Sequence, residues 1–142
     1  MNKVRLLLTS ALLLTSLSNF ARAEDETILT ATVPFAFTVE NTNLPAGTYR
    51  VSVVLPYETL RLERADGQAS ALAFFVPTSK PHGSETGKLV FDHIGDHYFL
   101  SQVWEQGNDL RRDLRTGSLA REMAKAKESH QSTTVFASPG SR

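Results

Sequence analysis

Asp92-His93-Ile94-Gly95-Asp96-His97 is the densest cluster of chemistry-bearing side chains in the sequence. Two imidazoles and two carboxylates around one tight turn form a donor set for a divalent metal, with His93, His97, Asp92 and Asp96 as candidate ligands. Hairpin geometry opposes that use. With Gly95-Asp96 as a two-residue loop, Ile94 faces His97 and His93 faces Tyr98, so the imidazoles leave on opposite faces. A four-residue loop would lift the objection, and the metal reading stays open beside the plainer one of polar residues flanking a turn. The second cluster is Arg111-Arg112-x-x-Arg115, whose guanidinium groups suit phosphate or a polyanion. Asp109 and Asp113 interleave it, so a solvated loop that pairs internally accounts for the same residues. His82 and Ser84 share a loop and could supply a base and a hydroxyl. No serine stands in a Gly-x-Ser-x-Gly turn, however, and no glycine-rich phosphate loop is present. With no nucleophile held by a base, no catalytic residue is assigned, no cofactor is implied, and the chain reads as non-catalytic.

The elements that must position these residues alternate with a period of two. Leu29, Ala31, Val33, Phe35, Phe37 and Val39 fall on one face, and Pro34 makes this either an edge strand or two short strands joined by a bend. Asn41 to Gly47 turns the chain into Thr48 to Leu55, with Tyr49, Val51 and Val53 on one side, and Pro56-Tyr57 ends it. Thr59 to Arg64 follows, then the Asp66-Gly67 hairpin into Ala69 to Val76, where alanines alternate with larger residues. A surface loop over Thr78 to Thr86 leads to Lys88 to His93, the Gly95-Asp96 turn, and Tyr98 to Trp104. Six antiparallel strands about 10 residues apart predict a mainly β domain, a sandwich or a small barrel. Alternation puts Trp104 on the side of Leu100 and Tyr98, among packed residues; stacking on sugars by Tyr49, Tyr57, Tyr98 or Trp104 is the competing use of these rings.

Beyond Trp104 the period changes. Glu105 to Gly117 reads as polar loop, and Ser118 is an N-cap for a short helix over Leu119 to Lys127 with Leu119, Met123 and Ala126 as its apolar stripe. Ser129 to Arg142 shows no periodicity and reads as a flexible tail.

The start of the chain has the layout of an export signal: Lys3 and Arg5, then the leucine-rich stretch Leu6 to Leu17, then Ala21-Arg22-Ala23 as a small-x-small cleavage site. The stretch is shorter than the roughly 20 apolar residues a span needs. The predicted organisation is a signal peptide over 1–23, a β-rich domain over 24–117, a helix packed on it over 118–128, and the tail over 129–142. Export to the periplasm or beyond, with no membrane span after cleavage, is the expected location.

The 142 residues are 41% hydrophobic and 21% charged, with 15 basic and 15 acidic side chains. The balance removes the basic surplus from which nucleic-acid binding is argued. The absence of cysteine excludes disulfides, thiolate sites and a lipoprotein anchor on cysteine. Charge is unevenly placed, with a surplus of −6 over Glu24 to Glu105 and +3 over Gln106 to Arg142. Ten of the eleven aromatic residues after Ala23 lie between Phe35 and Trp104, so the core is expected to close near Trp104, with Arg111 to Lys127 docking onto the acidic body through burial of Leu119 and Met123 rather than serving as a free arm.

Val33-Pro34-Phe35, Leu44-Pro45-Ala46-Gly47-Thr48-Tyr49-Arg50-Val51, Ala65-Asp66-Gly67, Gly87-Lys88-Leu89-Val90-Phe91, Gly95-Asp96-His97-Tyr98-Phe99-Leu100-Ser101, Val103-Trp104 and Ala120-Arg121-Glu122 resemble an uncharacterised family of small exported proteins frequent in acidobacteria. The resemblance covers about Val33 to Glu122. It implies a β-rich domain in a Gram-negative envelope and brings no activity and no catalytic residues. The function expected from all of this is a non-catalytic envelope domain that binds a protein or a cell-surface polymer. A small-ligand or metal-binding barrel module is the alternative, and a closed barrel with an internal cavity would favour it. A filled sandwich with one exposed apolar patch would favour the first.

Overall fold

The computed structural model describes residues 25–126 and 129–140; the expected signal peptide lies outside them. The chain is mainly β, with eleven strands and one short helix among the described residues. Pro34 ends the first ladder, leaving β1 (Glu26–Val33) and β2 (Phe37–Val39) as two strands joined by a bend. β3 (Thr42–Leu44) pairs back on β2 inside the stretch expected to be loop, with Glu40 in the left-handed region at φ 53° in the turn between them. β4 (Gly47–Val54) and β5 (Thr59–Arg64) follow the alternation, and the Asp66-Gly67 turn leads into β6 (Ser70–Ser79). β7 (Lys88–Ile94) and β8 (His97–Trp104) form the hairpin in the expected register, His93 facing Tyr98 and Ile94 facing His97.

The remaining elements correct the expectation of six strands. β9 (Leu110–Leu114) forms within the presumed polar loop, followed by α1 (Ser118–Lys125), β10 (His130–Phe136) and β11 (Ser138–Pro139). β9 is an interior strand, paired with β8 on one edge and β6 on the other. Arg112 and Leu114 point inward and Arg111 and Asp113 outward, so charged side chains conceal its period of two. The presumed tail is also ordered: β10 pairs with β7 from His130 opposite Ile94 to Phe136 opposite Lys88, and β11 pairs with β1. Threonine and valine suit a strand whose hold is its backbone ladder, with Thr133 and Val135 half-buried toward the core.

The ladder runs β10-β7-β8-β9-β6-β5-β4-β1-β11, and a parallel contact of β2 with β8 makes the sheet mixed. It folds over as a two-layer sandwich. Ser70 to Phe74 of β6 pair with β5 in one layer, while Phe75 to Ser79 pair with β9 in the other, so β6 turns the corner. On the opposite side only Ala137 separates β10, at the edge of one layer, from β11, at the edge of the other. No ladder joins those edges, and the sheet is open rather than a closed barrel.

Both layers fill the interior. Leu29, Tyr49, Val51, Leu60 and Leu62 meet Leu89, Phe91 and Val103, all shielded from solvent. Each such side chain contributes about 1.5 to 3 kcal/mol of burial. The core does not close at Trp104, because Leu114, Val135 and Ala137 also belong to it. β8 carries a bulge: Phe91 faces Leu100 but Val90 faces Gln102, leaving Ser101 unpaired. The extra residue reverses the alternation. Tyr98, Leu100 and Val103 point inward, and Trp104 lies on the outer face, contrary to simple alternation.

α1 lies over the outer face of the β7–β8 layer, where Ala120 packs with Ile94 and Phe99 and Met123 is half-buried. Leu119, expected on the packed stripe, is 40% exposed. The N-cap position is held by Gly117 rather than Ser118, whose N–H and hydroxyl both donate to Asn41 Oδ1 from the β2–β3 turn. A Cβ on Gly117 would lie 1.7 Å from the Glu40 carbonyl oxygen, so only glycine permits this approach.

Candidate functional site

The hairpin register places His93 and His97 on opposite faces. His93 stacks on Tyr98 with ring centroids 4.2 Å apart, and Tyr98 stacks in turn on Phe35 at 3.9 Å, a column at one end of the interior. His97 and Asp96 are exposed, and Asp92 faces outward with Oδ1 3.4 Å from His130 Nε2 across the β7–β10 ladder. Among the described residues no three His, Asp or Glu side chains gather into one metal-holding group.

The three arginines likewise separate. Arg111 donates to Asp113 Oδ2 at 2.7 Å and lies against the Trp104 ring, which Lys88 Nζ approaches to 4.8 Å from the other neighbouring strand. Arg112 points into the sandwich at 7% exposure and donates to Glu105 Oε2 at 3.1 Å, while its Nη1 is buried without a partner. Arg115, beyond the end of β9, is exposed near the N-terminus of α1. Strand alternation thus divides a linear cluster among an outer face, the interior and a loop. The Ser84 hydroxyl donates to the Thr86 carbonyl, and no hydrogen bond joins it to His82 among the described residues.

A row of exposed apolar side chains lies elsewhere, on the corner strand. On β6 the small residues Ala71 and Ala73 point inward with Phe75, and Leu72, Phe74 and Val76 point outward at 57%, 55% and 60% exposure. Narrow alanines let the two layers approach where β6 bends between them, and the larger side chains are left on the convex side. The β4–β5 turn follows the same strand, since the Glu58 carbonyl accepts the Phe75 N–H, and it adds exposed Leu55 and Tyr57.

Comparison with protein-family models, curated proteins and solved structures finds no match.

Two polar side chains bordering this apolar ridge are already engaged. Arg61, opposite Leu72, is paired with Asp25, and Asp113, opposite Val76, accepts from Thr78 and Arg111. Pro77 turns its nitrogen away from β9, toward the side of β6 that β5 no longer covers, so that edge lacks a donor where an added strand would need one. The ridge therefore offers side-chain surface rather than a strand edge. Alternation of alanine with larger residues was visible in the sequence; which set faces outward became determinate only with the corner.

Proposed function

We propose that this chain is a non-catalytic binding domain of the cell envelope and that the convex face of β6 docks a protein. The observation that carries this reading is the row Leu72, Phe74 and Val76, exposed on a sandwich whose interior is otherwise filled. Aliphatic and phenyl groups without unpaired donors among them suit an apolar protein surface better than a hydroxyl-rich saccharide, which would need hydrogen bonds from the same face. The envelope location rests on the tripartite N-terminal segment and on the resemblance to small exported proteins. A barrel-mouth module is less well supported, because the sheet is open and its interior is packed with side chains.

A photo-crosslinking residue at Leu72 or Phe74, introduced in the cells that make the protein, tests the proposal. A discrete adduct with a second protein is expected from these positions and none from Thr30 on the polar outer face of the same layer. Adducts of twice the chain mass would replace the proposal with self-association, and no adduct at all would overturn it.

A further inference from the structure

The space beneath α1 combines an apolar floor with unspent positive charge. A hollow of about 200 Å³ lies between the helix and the outer face of the β7–β8 layer. Its apolar lining is Ile94 and Phe99 from the sheet, Leu114 at the end of β9 and Ala120 from the helix, each less than 10% exposed. A second hollow of about 220 Å³ adjoins it and adds Asn41 and Arg121. Glu40, Arg115, Thr116 and Gly117 form the wall common to the two.

The walls differ in how far their charges are already met. Asp92, in the first hollow, faces His130, and Glu40, whose Oε1 accepts the Phe74 N–H at 2.8 Å, keeps its charge in both hollows, one carboxylate against two guanidinium groups. Arg115 and Arg121 form no ion pair among the described residues. The N-terminus of α1 is not a competing anion site, because Asn41 already accepts the Ser118 N–H. The cleft thus offers hydrocarbon contact at one end and two planar, multiply donating cations at the other, the pairing that a carboxylate on an apolar body requires.

We infer that this cleft binds a small organic anion of the short-chain carboxylate class, with its hydrocarbon on Ile94, Phe99 and Leu114 and its carboxylate on Arg115 and Arg121. The site adjoins the β6 ridge, since Glu40 accepts the Phe74 N–H and the Arg115 N–H donates to the Phe74 carbonyl, but none of the side chains Leu72, Phe74 and Val76 lines it.

Titration of the isotope-labelled full chain with hexanoate, hexylamine and hexanol tests this by amide chemical shifts. Hexanoate should shift Ile94, Ser101, Thr116, Gly117 and Ala120 and bind at least tenfold more tightly than the other two. Replacing Arg115 and Arg121 together by glutamine should weaken hexanoate at least tenfold with the melting temperature unchanged. Ala124→Phe, which fills the mouth from an exposed helix position, should block all three probes. Equal response to the three probes, a preference for hexylamine, shifts scattered over the surface, or undiminished hexanoate binding by the double variant would each overturn the assignment.

Discussion

The hydroxyl of Tyr49 donates to the Pro45 carbonyl at 2.6 Å from a fully buried ring. It ties the Leu44-Pro45-Ala46-Gly47 turn to the strand that follows, which gives that motif a physical role the alternation alone did not reveal. Tyr49→Phe should cost about 1 kcal/mol in chemical denaturation. Burial raises the Tyr49 hydroxyl above its ordinary pKa of 10.0, against a smaller lowering by Arg64. The unfolded chain therefore gives up this proton first. The contribution is complete below the ordinary tyrosine value and is lost as pH rises through the folded one. Melting temperature should fall with alkali above about pH 10 less steeply in Tyr49→Phe than in the parent. Arg112 presents the opposite case, a buried cation that two neighbouring arginines and a run of polar residues disguised as surface. Arg112→Ala should cost about 3 kcal/mol or more, by leaving Glu105 without its cation and by removing the buried stem, whereas Arg112→Met, which strands Glu105 but keeps the stem, should recover the packing part of that loss. Equal losses in the two variants would show that the ion pair with Glu105, not packing of the stem, matters at this site.

At the scale of elements, the strands legible in the sequence are those whose inward residues are apolar. Thr59 to Arg64 matches β5 residue for residue, and the Gly95-Asp96 hairpin has the register its two-residue loop requires. β9 and β10 were illegible for one physical reason: their positions are fixed by ladders on neighbouring strands, and alternation among Arg, Asp, Ser and Thr carries no hydrophobic signal. Trp104 was misplaced by a single bulged residue, Ser101, which hydrophobic pattern cannot locate. The helix was legible in place but not in rotation, because its seat is set by Gly117 against Glu40 and by Asn41, residues 77 positions from their partner in the case of Asn41 and Ser118. The candidate site fared likewise: Arg111, Arg112 and Arg115 were visible as a cluster, and only the fold shows that Arg115 alone reaches the cleft. Gly117→Ala should unseat the helix at a cost of about 1 to 3 kcal/mol, seen as faster hydrogen exchange in α1 with the β4–β5 ladder unchanged. Uniformly faster exchange across both would mean that the helix is integral to the sandwich.

At the scale of the molecule, the two layers are joined at both sides by single segments, the bent strand β6 and the crossing from β10 through Ala137 to β11. The latter is also the last described part of the chain, and it completes a ladder begun by the first: Thr30 faces Ser138, and the Gly140 N–H donates to the Ile28 carbonyl. A Cβ on Gly140 would meet the Thr27 carbonyl at 1.9 Å, so the closure is tight. Beginning and end of the domain are thus clasped together, and β7 has no partner on its outer edge until β10 arrives. The consequence is temporal. A chain emerging N-terminus first cannot finish either layer until β10 and β11 are released, so both layers close late and together. Nascent chains stalled so that residues 129–142 are still enclosed should be digested readily by protease, and release of that segment should confer resistance in one step.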